Sequence, residues 1–223
     1  MAKFIHGLAN YSNKNSLANR FRDTRFKFFE GQIKKLSATK PVRILDIGGT
    51  QSFWVNRGYA DNENFQITIL NLYKEETDYS NLIGVKGNAC DLSEFVDNEF
   101  DLVFSNSVIE HVFSFENQQA MAAEVQRVGK NYYIQTPNRF FFVEPHYLLP
   151  FFQFLPRGLK IFILTKTRLS RGSKRSLEAA EASLKEIRLL SFKEMKQLFP
   201  KGKIFKEKFL LMNKSFTSYL ISD

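Results

Sequence analysis

Apolar positions along this 223-residue chain follow two rhythms in turn. Over residues 15–37, Leu17, Phe21, Phe28, Phe29 and Ile33 recur at roughly helical spacing with basic residues between them, which predicts an amphipathic N-terminal helix. From there short apolar runs alternate with helical stretches. Strands are predicted over Val42–Ile47, Gln66–Leu72, Ile83–Lys86, Asp101–Ser105 and Asn131–Gln135, with a short helix over Gln51–Arg57 and a longer one over Gln118–Val128. Strands separated by crossovers imply a parallel sheet with helices on both faces, an α/β fold of the doubly wound kind.

The tail departs from that alternation. After a predicted helix over Glu178–Leu198, the runs "KIFKEKFLLM" and "SFTSYLIS" follow each other with a short turn near Asn213 and Lys214. Two strands joined so closely must be antiparallel, so the sheet should end in a C-terminal hairpin and count seven strands. About forty residues separate the exit of strand five at Thr136 from the helix near Glu178, far more than an ordinary connection of about 2–6 residues. This stretch, "RFFFVEPHYLLPFFQFLPRGLKIFIL" with a basic run behind it, is too apolar to stay solvated, and Pro145, Pro150 and Pro156 bar a membrane-spanning helix. It reads as a lid or membrane-facing cap over residues 139–176. The organisation expected is an N-terminal helical cap over 1–39 and a main domain over 40–223 that carries the inserted cap.

Composition narrows the chemistry. The formal net charge is +9 and the pI about 9.5, favouring phosphates, carboxylates, nucleic acid or an anionic membrane surface as partners. The 24 phenylalanines crowd into Phe21–Phe29 and Phe140–Phe154 beside arginines and lysines, a mixture suited to a groove or an interface. Cys90 is the only cysteine, which excludes an internal disulfide and a Cys-rich zinc site, and no metal ligand set is assigned. The opening residues hold no apolar run of a secretion signal, and no uncharged stretch of about 18 apolar residues occurs, so a soluble cytoplasmic protein is expected.

The first strand leads into "RILDIGGTQSFW". In a doubly wound sheet the ligand lies beyond the carboxyl ends of the strands, so Gly48 and Gly49 point at it. A dinucleotide turn needs G-x-G-x-x-G, and counting from Gly48 the third and sixth positions are Thr50 and Phe53. That excludes an NAD fingerprint. Asp46, two residues before the first glycine, suits a ligand carrying positive charge near the turn.

Here the chain resembles the class I S-adenosylmethionine-dependent methyltransferases (methyltransferase-domain superfamily, type 11-like), with their Rossmann-like sheet. Leu45-Asp46-Ile47-Gly48-Gly49-Thr50-Gln51-Ser52 matches the acid and first glycine of that family's first motif, with Thr50 and Ser52 at its other two glycines. "GNACDLSEFVDNEFDLVFSNSVIEHV" (87–112) and "IQTPNRFFFVEPHYLLP" (134–150) resemble its later stretches. The resemblance covers roughly residues 40–223 and implies S-adenosyl-L-methionine as cofactor. It places Asp46, Gly48, Gly49 and Thr50 at the methionine end and Asn71 and Leu72 at the ribose, Asn71 standing where the family has an acid. Asn88, Ala89 and Asp91 fall near adenine, and Ser105 borders the sulfonium.

Base-amino methyltransferases of nucleic acid carry an Asn/Asp-Pro-Pro-aromatic run after strand four, where this chain reads Ser105-Asn106-Ser107-Val108. Its absence favours a small-molecule, glycan or lipid-linked acceptor methylated at oxygen, at an anionic membrane surface if the cap lies there. His111 and His146 are the candidate general bases, with an ordinary pKa of about 6.5, and Glu144 ranks behind them. A nucleic-acid methyltransferase, favoured by charge, and a cofactor-binding protein without catalysis, favoured by the Thr50, Ser52 and Asn71 departures, are the alternatives.

Overall fold

A computed structural model describes residues 17–34, 36 and 41–222. Its strands are β1 (Val42–Ile47), β2 (Phe65–Asn71), β3 (Leu82–Lys86), β4 (Leu102–Asn106), β5 (Tyr132–Pro137), β6 (Val143–Glu144), β7 (Leu149–Pro150), β8 (Lys203–Phe209) and β9 (Met212–Leu220). Seven of them form one sheet in the order β3-β2-β1-β4-β5-β9-β8, while β6 and β7 make a separate antiparallel ribbon. Strands β1 to β5 run parallel, and the final hairpin runs antiparallel. The expected seven-stranded Rossmann-like sheet is therefore present. Strand order reverses between β1 and β4, which puts the crevice for a ligand beyond their carboxyl ends.

Alternation along the strands builds the core on both faces. Leu45, Val103, Tyr132 and Ile134 point to one side, where they meet Met121, Ala122 and Val125 of α3 (Phe115–Val128), a helix that follows α1 (Leu17–Ile33) and α2 (Gln51–Asn56) in the chain. Ile44, Leu102, Phe104 and Tyr133 point to the other, against Phe26, Phe29 and Ile33 of α1 and Trp54 of α2. The predicted N-terminal helix is thus a covering layer of the sheet, although Phe26 rather than Phe28 joins Phe29 and Ile33 as fully buried. The rest of residues 1–16, with His6, lies outside the described residues.

Two expectations need correction. The helix predicted over 178–198 is two helices, α5 (Leu177–Glu186) and α6 (Phe192–Leu198), after α4 (Arg157–Lys166). Between them the chain is extended and lies beside the exit of β5: Leu190 bridges Asn138, and the Leu190 carbonyl accepts from the Arg139 N–H. Ser191 and Glu194 then restart the helix with a reciprocal capping box. The turn of the final hairpin is at Leu210 and Leu211, not at Asn213 and Lys214, with Phe209 opposite Met212. Both leucines are exposed, and Leu210 has a φ of 52°. Asn213 pairs with Lys208 of β8, and the Asn213 and Lys214 carbonyls accept from Asn138, so both lie within β9, and a bulge at Glu207/Lys208 takes up the register shift.

The stretch read as a cap contains the β6–β7 ribbon and α4. It packs on α5 through a small core of Tyr147, Phe152, Leu164 and Ala180. Its outer side leaves Phe140, Phe151, Phe154, Leu159 and Phe162 exposed.

Candidate active site

The turn after β1 is shaped by its neighbours. Gly48 has a φ of 76°, a left-handed conformation that a side chain resists, and a Cβ there would also strike the Val108 side chain. Its N–H donates to the Leu70 carbonyl at 2.8 Å. A Cβ on Gly49 would fall on the Asp46 carboxylate. The two glycines therefore let β1 end in bare backbone, with Gly48 and Thr50 solvent-exposed. Thr50 caps α2 by accepting from the Phe53 N–H, which explains why a non-glycine residue is accommodated there.

Asp46 is 1% exposed and accepts a hydrogen bond from Trp54 Nε1 at 2.7 Å. Burial pushes its carboxyl up to about 7, the Trp54 hydrogen bond opposing and the nearby Glu75 charge adding to the rise. A cationic group placed over this turn would favour the ionised form. Asn71, at the end of β2, donates from Nδ2 to the Gly49 carbonyl at 2.8 Å, so the amide braces the turn. Leu72 beside it is 66% exposed.

At the end of β3, Asn88 and Asp91 bracket a tight turn in which the Asn88 carbonyl accepts the Asp91 N–H and the Asn88 side chain accepts the Cys90 N–H. Asn88 and Asp91 are exposed, whereas Ala89 between them is buried in the sheet core. Ser105 is fully buried, and its hydroxyl donates to the Ile47 carbonyl at 3.1 Å, tying β4 to β1. The residue at the tip of β4 is Asn106. It lines both a cavity of about 650 Å³ and a second of about 210 Å³, which also share Arg22 and Arg25. Phe26, Phe53 and Tyr133 wall the larger; Gln135, Phe141 and Lys214 wall the smaller. Sequence reasoning missed Asn106 by taking the preceding residue as the strand's end.

Just beyond β4 and β5 the structure brings together the two histidines chosen from sequence. Nε2 of His111, in a short 3₁₀ turn (Ile109–His111), and Nε2 of His146, in the β6–β7 ribbon, are 3.2 Å apart. Their other nitrogens face carboxylates: His111 Nδ1 meets Glu186 Oε1 at 2.8 Å, and His146 Nδ1 meets Glu144 Oε1 at 2.7 Å. Burial would lower the His146 pKa, but the hydrogen bond and charge of Glu144 outweigh it and hold the imidazole above its ordinary value. Glu110, fully buried beside them, accepts from Thr136 Oγ1 through Oε2 at 2.9 Å, while its Oε1 has no partner. Burial pushes this carboxyl up as well, against the lowering influence of both histidines and Thr136.

Residues 55–132 match the sequence profile of the methyltransferase domain family. No curated protein matches the chain. Among solved structures, the chain is similar to one described as a complex between the Haloferax volcanii Trm112 methyltransferase activator and a methyltransferase, at 13% identity over 97% of this chain and 96% of that one, with a TM-score of 0.52. It is similar also to a methyltransferase of an antibiotic biosynthesis pathway from Anabaena variabilis, at 16% identity over 82% of this chain and 64% of that one, with a TM-score of 0.50. At these identities the structural likeness speaks for the fold alone, and it agrees with the family match.

Proposed function

We propose that this chain, whose residues 55–132 match the methyltransferase domain family, is a class I S-adenosylmethionine-dependent methyltransferase with S-adenosylmethionine as cofactor, and that it acts on an oxygen of a small-molecule, glycan or lipid-linked acceptor bearing an anionic group. The observation that carries this reading is the pair of cavities meeting at Asn106. Their volumes suit small molecules, and Arg22, Arg25 and Lys214 stand in their walls.

The residues present fit the cofactor. Gly48 and Gly49 leave no side chain between the strand end and the crevice, and Asp46 lies buried at the turn, where a cationic amino group nearby would favour its ionised form. Asp46, Gly48, Gly49 and Thr50 would hold the amino-acid end, Asn71 and Leu72 the ribose, and Asn88, Ala89 and Asp91 the base. When bound, the cofactor supplies an electrophilic methyl group on a sulfonium, open to in-line displacement. Ser105, spent on the Ile47 carbonyl, shapes the strand end, and Asn106 is the polar group exposed to a ligand there. Its amide oxygen would accept a hydrogen bond from the acceptor's O–H and aim the oxygen lone pair, and the proton released on methyl transfer would pass to water in the open cavity. Arg25 and Lys214 share the single carboxylate of Glu207, so that the wall would keep a positive excess to hold the acceptor by its charge, and orientation would supply most of the catalysis.

Nucleic acid remains the second reading, favoured by the net charge of +9. Against it stands the Ser105-Asn106-Ser107-Val108 sequence, which carries no proline pair to present carbonyls to a base amino group. The cap's exposed Phe151, Phe154 and Phe162, close in sequence to exposed Lys166, Arg168 and Lys174, suit an anionic membrane surface. A lipid-linked acceptor would be met there. No described helix is long and apolar enough to cross a membrane.

Incubation with methyl-labelled S-adenosylmethionine, using phosphorylated lipid-linked saccharides in vesicles in one arm and RNA in another, tests the reading. Label in a saccharide oxygen supports it; label confined to RNA overturns it.

A further inference from the structure

The geometry points to a divalent transition-metal site, of the kind zinc occupies, formed by Glu110, His111 and His146. One ligand atom from each residue lies within 4.8 Å of the others. The electronic arrangement of the imidazoles favours a cation more strongly than the spacing does. A neutral imidazole has one N–H and one lone pair, and a carboxylate facing Nδ1 fixes the N–H on that side. Glu186 does this for His111 and Glu144 does it for His146. The two Nε2 atoms then face each other across 3.2 Å, a contact made favourable by a cation between them, whether a shared proton or a metal ion. Two nitrogens bound to one zinc at about 2.05 Å and a tetrahedral angle stand about 3.3 Å apart.

The third ligand is independent of the histidines. Glu110 is fully buried, and its Oε1 has no hydrogen-bond partner among the described residues. An unpaired buried carboxylate oxygen is costly, and bonding to a cation removes that cost. Thr136 holds the other oxygen and so orients the group.

Charge agrees with this. Glu144 and Glu186 form their ion pairs, among the described residues, with the two imidazoles. The nearby guanidinium groups are engaged elsewhere: Arg188 with Gln118 and Glu194, Arg171 with the Pro145 and His146 carbonyls. The carboxylates of Glu144 and Glu186 behind the imidazoles would partly balance the charge of a divalent ion held between the two rings. Two histidines and one carboxylate, each histidine backed by an outer carboxylate, is a ligand set used by zinc with a fourth position open to water or an oxygen ligand. Such an ion would fasten the β6–β7 ribbon to the exit of β4 and, through Glu186, to α5. Both Nε2 atoms would then be ligands and not proton acceptors.

The test uses tag-free, full-length protein stripped with a chelator and titrated with zinc, with cobalt as the spectroscopic probe. One zinc per chain is expected, with a melting temperature that rises with zinc concentration and visible cobalt absorption of tetrahedral type. His146→Ala and Glu110→Gln should abolish the cobalt spectrum and the zinc-dependent shift while circular dichroism stays native. If either misfolds, Glu186→Gln at the half-exposed outer position serves instead and should weaken zinc affinity about 10- to 100-fold. Wild-type protein with neither a zinc-dependent shift nor a cobalt spectrum overturns the proposal. So does binding that persists unchanged in the folded variants.

Discussion

Trp54 Nε1 donates to Asp46 Oδ2 at 2.7 Å, joining the first turn of the α-helical layer to an acid at the end of the central strand. The bond favours the ionised carboxyl, yet burial outweighs it and the pKa stands at about 7 instead of 3.8.

A proton bound more tightly in the folded chain than in the unfolded one stabilises the fold at low pH. The contribution from Asp46 is complete below about pH 4 and fades as pH rises to about 7, by at most about 1.4 kcal/mol per pH unit. Urea unfolding of wild type and Asp46→Asn from pH 4.5 to 8 should show this slope in the difference between them. Parallel curves would contradict the burial argument. Trp54→Phe should push the carboxyl higher still.

Gly48→Ala should lower stability by about 1–2 kcal/mol from the left-handed backbone alone, with the Val108 collision added. Pairing it with Val108→Ala should recover the collision but not the backbone strain. Full recovery in the double variant would show that φ at this position costs nothing, and the cofactor affinity of both, by calorimetry, shows what the turn holds.

Asn71→Ala removes the donor to the Gly49 carbonyl, which should cost about 0.5–1.5 kcal/mol of stability and loosen the turn. Cofactor affinity should fall with it. If stability falls and affinity does not, Asn71 only braces the turn and the ribose is held elsewhere, Tyr73 and Glu75 being next in the chain.

The cap's aromatic face is open to a direct test. Replacing exposed Phe151, Phe154 and Phe162 by serine should leave the fold intact, because the small core beneath uses Tyr147, Phe152 and Leu164. Sedimentation with vesicles rich in anionic lipid should drop for the triple variant. Equal sedimentation of variant and wild type, or none for either, removes the membrane from the reading.

The sequence by itself determined the strands, the glycine turn and the covering helices, because each is written in neighbouring residues: short apolar runs in β1 to β5, a helical rhythm in α1, and an acid followed by two glycines. It also held a signal that a closer reading would have used, the Ser191 and Glu194 capping box that divides α5 from α6. The hairpin turn was not legible, since Leu210-Leu211 carries none of the residues that mark turns and is placed by the pairing of β9 with β5. Nor could sequence show that His111 and His146, thirty-five residues apart, meet at 3.2 Å, or that Glu186 comes from another helix to orient one of them. Asn106 became the polar residue at the cavities through the length of β4 and the fold of α1 across it. Local periodicity reports which face of an element is buried; which side chains from distant elements share one small space is decided only when the layers pack.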